Sequence, residues 1–185
     1  MAVDIFEPLK DLQGNKLKSA SWYRNAVSLI TDRSSPSDLF ASGKMLGRPS
    51  AGRMSMFFYD PKTKARLPYY DTFPLVLPLE KYTDGFLGIN LHYLPMNLRI
   101  RLLDRLVDYS NNTKFDESTR LAVDYSKLKN IGLIKPTLKR YLAGRVKTQF
   151  RRIDADEFTV AALLPVARFK KASASEVYKD SRAMI

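Results

Sequence analysis

Between residues 52 and 95 the chain reads GRMSMFFYDPKTKARLPYYDTFPLVLPLEKYTDGFLGINLHYLP, and this stretch restricts the fold more than any other. It holds three apolar runs, 54–59, 73–79 and 86–94, and the only histidine, His92. Turn residues separate the runs: Asp60-Pro61 ahead of a lysine-bearing tip, then Thr83-Asp84-Gly85. Short runs rich in Phe, Tyr, Val and Ile, bounded by Gly, Pro and Asp, read as strands of a small antiparallel sheet or barrel. Pro68, Pro74 and Pro78 lack the N–H that a central ladder needs, which places them at strand starts, bulges or edges. Such a pattern suits a tightly bent barrel better than a wide flat sheet.

Helical signals flank this centre. Residues 1–18 read as an extended arm whose Phe6 and Leu9 dock on a neighbour, with Pro8 and Gly14 discouraging regular structure. Trp22, Ala26, Leu29 and Ile30 then recur at helical spacing over 19–33. Trp22, the only tryptophan, reads as a core or docking anchor rather than a ligand platform. A linker is expected over 34–51; the glycines in GKMLGRPSAGR match neither a Walker nor a dinucleotide spacing. Downstream, 97–111 carries Leu98, Leu102, Leu103 and Leu106 on one helical face and Arg99, Arg101 and Arg105 on the other, with Asn97 as N-cap. A weaker helix is expected over 116–130, and the apolar segment 158–166 is open to helix or strand. Ser173 and Glu176 have capping-box spacing ahead of a final helix. The expected fold is α+β. An SH3-like antiparallel β-barrel spans 52–95, after an arm, helix and linker over 1–51, and a helical C-terminal region, 96–185, packs on it.

Charge narrows the partners. The chain has 185 residues, with 31 Lys and Arg against 19 Asp and Glu and a net charge of +12. That surplus favours nucleic acid, a membrane surface or an acidic protein face. Its most lopsided part is 135–152, where Lys135, Lys139, Arg140, Arg145, Lys147, Arg151 and Arg152 occur with no acid among them. With a helix from 136 to about 147, Lys139, Arg140 and Lys147 share one side, ready for phosphates or for an acidic neighbour. Tyr69, Tyr70, Tyr82 and Tyr93 offer rings for stacking on bases, or else fill the barrel or a subunit interface. The interface reading is preferred, with Tyr69 and Tyr70 joining Phe6, Leu9 and Trp22.

Several chemistries find no support. The chain has no cysteine, so neither a disulfide framework nor a thiolate metal site is available. A lone His92 makes a poor metal site and has no partner at a recognisable spacing, so a structural histidine bonded to backbone is expected. Asp154, Asp156 and Glu157 invite a Mg²⁺ reading, but acids collect at helix N-termini anyway. No apolar segment approaches the roughly 20 residues that cross a bilayer, and the amino terminus lacks a signal-peptide pattern. No enzyme, no cofactor and no membrane association are expected.

The segment FFYDPKTKARLPYYDTFPLVLPLEKYTDGFLGINLHYLP, with the stretch 99–106 after it, resembles small basic proteins of T4-like contractile-tailed bacteriophages. The likeness covers residues 54 to about 109 and carries no catalytic motif. It implies a virion protein: a structural part of a tail, baseplate or neck, or a protector of the packaged DNA end. The first role, acting through contacts with other virion proteins in a multi-chain assembly put together in the host cytoplasm, is the leading expectation. The alternative is a sequence-independent DNA-binding protein using the 135–152 cluster.

Overall fold

The computed structural model describes residues 35–108, 128, 131–154 and 157–185. The expected arm and helix over 1–33, with Phe6, Leu9 and Trp22, lie outside the described residues, as does nearly all of the helix expected over 116–130.

The centre is an antiparallel sheet of six strands in the order β1-β7-β2-β4-β5-β6. These are β1 (Met45–Leu46), β2 (Ser55–Met56), β4 (Leu75–Tyr82), β5 (Gly85–Asn90), β6 (Leu138–Leu142) and β7 (Phe150–Arg152). A two-stranded ladder joins β3 (Tyr70–Asp71) to β8 (Phe169–Lys170). The hairpin β4–β5 closes on the two-residue turn Thr83-Asp84, with Tyr82 opposite Gly85. Pro78 sits where the register slips, so the missing N–H falls at an irregularity as its chemistry requires.

This arrangement corrects the expected barrel. The sheet is open among the described residues, with β1 and β6 at its edges, and half of its strands come from outside 52–95. Strand alternation explains why it needs cover on both faces. Leu75 and Leu77 face the main core while Val76 between them faces a second cluster with Phe57, Phe86, Tyr141 and Phe150.

Helices close the main core. In α2 (Met96–Asp108), Leu102, Leu103 and Leu106 are buried among the side chains of α4 (Phe158–Leu163), each burial contributing about 1.5–3 kcal/mol. Pro95 replaces the expected Asn97 cap: its carbonyl accepts from the N–H groups of Leu98 and Arg99. The segment 158–166 resolves as a helix ended before Pro165, which disfavours α geometry in the residue ahead of it. Within the expected linker lies α1 (Pro36–Ser42), started by Pro36 and capped by Ser35 Oγ, which accepts from the Asp38 N–H at 3.2 Å. The final helix α5 (Ala174–Met184) has the predicted box: Ser173 N–H donates to Glu176 Oε2 at 2.7 Å and Ser173 Oγ accepts from Glu176 N–H at 3.3 Å.

The basic run 135–152 is also not the expected helix. One helical turn, α3 (Ile134–Thr137), gives way to β6, a 3-10 turn over Ala143–Arg145, and β7. Two features override the helical spacing of the apolar residues Leu138, Leu142 and Val146. The edge of β5 offers ladder bonds from Gly85 to Ile89, and Tyr141 fills the aromatic cluster only if its neighbours alternate. Gly85 permits that pairing, since a Cβ there would lie 1.9 Å from the Tyr141 carbonyl oxygen. No helix among the described residues is long and apolar enough to cross a membrane.

Candidate nucleic-acid interface

The strand geometry of β6 puts Lys139 and Tyr141 on one face and Arg140 on the other. Across from the first face runs the loop 59–70, carrying Tyr59, Lys62, Tyr69 and Tyr70. Between them lies a groove of about 550 Å³, also lined by Tyr93 and by Met184 of α5. That volume lies within the range of small-ligand sites, about 300–1,000 Å³.

Tyrosine rings form the walls. Tyr59 and Tyr141 meet edge to face with centroids 4.9 Å apart, and Tyr69 lies 6.0 Å from Tyr93. Tyr59 Oη accepts from the Leu142 N–H at 3.1 Å, locking the loop to β6. Tyr141 Oη accepts from Asn90 Nδ2 at 3.0 Å. Burial raises the pKa of Tyr59, Tyr93 and Tyr141, so the walls stay neutral. Burial also leads the rise at Tyr69, with Asp180 nearby adding to it.

Lys139 is the cation of this groove. Its Nζ stands 4.0 Å from the centroid of the Tyr93 ring, a cation–π contact. The side chain is largely withdrawn from solvent, and burial lowers its pKa to about 8. No carboxylate among the described residues pairs with it.

Beneath the groove, Asp71 organises the packing. Its Oδ1 accepts from the N–H groups of Phe73 at 3.0 Å and Arg168 at 3.2 Å. Its Oδ2 accepts from Asn90 Nδ2 at 3.2 Å and meets His92 Nδ1 at 2.8 Å. Burial pushes the Asp71 carboxyl up, but His92 and the other donors outweigh it and the group titrates below the ordinary range. Burial lowers the pKa of His92 despite the pull of Asp71. The pair is therefore a carboxylate and a neutral imidazole, with Nδ1 assigned the proton by the hydrogen bond it makes. His92 is structural: its ring meets the Asp71 carboxylate and also interacts with the Phe73 backbone. Its Nε2 is buried without a hydrogen-bond partner among the described residues.

The expected basic cluster divides. Lys135 and Lys147 are exposed, and Arg145 is half-buried beside Tyr59 and Asp60. Arg140 pairs with Asp84 and lies 4.1 Å above the Tyr82 ring. Arg151, expected in the cluster for phosphates or an acidic neighbour, is turned into the protein. It is 1% exposed, donating from Nε to Leu39 O at 3.0 Å and from Nη1 to Arg152 O at 2.7 Å, with Glu157 at 3.3 Å. Arg152 lies 2.5 Å from Asp154, which also takes Lys44 at 3.2 Å. Of the acids suggested for Mg²⁺, Asp154 and Glu157 are thus engaged by cations, Asp156 lies outside the described residues, and no metal-holding group occurs among the described residues. Tyr69 and Tyr70, expected at a protein interface, line the groove.

A family model described as the phage T4 terminal DNA protecting protein matches residues 11–181. The chain belongs to that family. The match runs far beyond the 54–109 stretch that carries the resemblance in the sequence, and takes in β6, β7, the helices α1 to α4 and most of α5. No curated protein and no solved structure gives a significant match. Of the two virion roles, family membership supports the DNA end protector; it gives no support to a tail or baseplate part.

What the sequence did not single out is Tyr59, Lys62 and Tyr141. The only available signal for Tyr141 was its adjacency to Lys139-Arg140, legible once that run alternates as a strand.

Proposed function

We propose that this phage protein binds the ends of duplex DNA without reading sequence, and protects them by occupying them. The observation that carries the reading is the tyrosine-walled groove beside a set of cations, in a chain of the terminal DNA protecting family. Lys135, Arg140, Arg145 and Lys147 would contact phosphates along the duplex flank, and tyrosines give sequence-tolerant stacking surfaces. The proposal assigns the protein no catalytic step: it acts by occupancy, in the virion with the DNA. Arg151 is left out because its guanidinium faces the interior.

Phosphate contacts release counterions, so affinity should fall steeply with salt, with a slope of about −0.9 per contact on a log–log plot. Changing Arg140 and Lys147 to Glu should make that slope shallower by about 2 and weaken binding at every salt concentration. Fluorescence anisotropy with unrelated duplex sequences checks this. Affinity that ignores salt, or that follows sequence, would contradict the proposal.

A further inference from the structure

The duplex-flank contacts do not use Lys139. An exposed lysine or arginine reaches any phosphate on a straight duplex, but Lys139 is half-buried in the lining of the groove, its Nζ 4.0 Å from the centroid of the Tyr93 ring. A group that enters the groove can touch it. The surroundings also say what charge is missing, because among the described residues Lys139 has no carboxylate partner and its hydration is largely lost. A withdrawn cation of this kind is satisfied by an anion brought from outside.

We infer that the groove between the 59–70 loop and β6 admits the last nucleotide of a DNA strand, its phosphate on Lys139 Nζ and its base against the ring of Tyr69. The proposal rests on the DNA-end reading above and makes it specific to the strand terminus. Three observations support the choice of ligand. A nucleotide joins an anion to a flat π-surface, and the groove joins a cation to flat π-surfaces. A terminal nucleotide unstacks at small cost, whereas an internal one must be flipped with duplex on both sides. The walls hold Tyr59 and Tyr141 by hydrogen bonds at 3.1 Å and 3.0 Å, so the opening exists before anything binds. Asp71 also lines the groove, and its four donors hold its charge toward the protein rather than toward an entering phosphate.

The test compares a short blunt-ended duplex with a dumbbell of the same sequence whose ends are closed by hairpin loops. The full chain should bind the open duplex about tenfold or more tighter than the dumbbell, the gain expected from one stacked base and one charge-assisted bond. Lys139→Met should bring the two affinities together, and Tyr69→Leu should do the same in part, giving a second reading if either variant folds poorly. Lys147→Glu should weaken both forms together. Equal affinity of the unaltered protein for the two forms would overturn the inference while leaving DNA binding intact. So would a preference for open ends that survives in folded Lys139→Met. Binding to neither form would overturn the DNA-end reading itself.

Discussion

Lys139 and Arg99 show how differently a half-buried and a buried cation can be treated. Arg99, expected on the polar face of α2, is 1% exposed and fully engaged. Its Nε donates to Leu94 O at 2.7 Å, Nη1 to Ala162 O at 2.9 Å, and Nη2 to Tyr178 Oη at 2.8 Å and His92 O at 3.4 Å. One guanidinium thus ties α2, α4, α5 and the 91–94 turn together, and its fork of donors is what a lysine lacks. Lys139 has a ring and, among the described residues, no acid, so burial disfavours its charged form. Its folded pKa, about 8, is below the unfolded value near 10.5. Between those values the unfolded chain holds a proton that the folded chain has lost, so folding stability rises with pH across that window. Tyr93, Tyr141 and Tyr69 face the groove and stay neutral there, and Asp71 is already charged. Urea melts of Lys139→Met should show about 1–3 kcal/mol more stability than the parent at neutral pH, and a flatter profile between about pH 8 and 9.5. Equal or lower stability would mean that the lysine is held for packing. His92 works in the opposite range. Its folded pKa is lowered, so acid protonates the unfolded chain first and stability drains away as pH falls below about 6.5. His92→Gln should remove that slope, measured by the same melts.

Among the elements, β6 decides whether the groove exists. It is an edge strand held by the β5 ladder on one side and by the Tyr59 hydroxyl at its end. Tyr141 anchors it, with Phe86 stacked at 5.3 Å and Phe57 edge-on at 5.3 Å. Tyr141→Ala should cost about 3–5 kcal/mol by thermal melting, as for other large aromatic truncations in a core. Tyr141→Phe keeps the ring and gives up the Asn90 bond, so about 1 kcal/mol is expected. The elements legible in the sequence were those with local instructions. Thr83-Asp84-Gly85 announced the β4–β5 hairpin, Pro78 its irregularity, and Ser173-Glu176 the start of α5. What escaped was decided by distant chain. Lys139 and Tyr141 become neighbours of one groove only because β5, some fifty residues earlier, offers an edge to pair with. Two-residue strands such as β1 carry too few positions to show alternation, and α1 hides in a Ser- and Gly-rich stretch whose cap, Ser35, looks like any loop serine.

At the scale of the molecule, the proposed function has a net charge of +12 bring the protein to DNA, with the distribution of that charge setting what happens there. Arg151 and Arg152 face Glu157 and Asp154 across the β7 end of the sheet, while the cations near β6 stand at the tyrosine groove. The polarity explains why composition pointed to an anionic partner without locating it: one run, 135–152, contributes to both ends. The most direct measurement of end occupancy is digestion of a linear duplex by a double-strand exonuclease, with a circle bearing one internal gap digested alongside by a gap-entering exonuclease. Bound protein is predicted to spare the linear duplex and leave digestion from the gap unaffected. Linear DNA consumed as fast as without the protein, or both substrates shielded alike, would contradict the account.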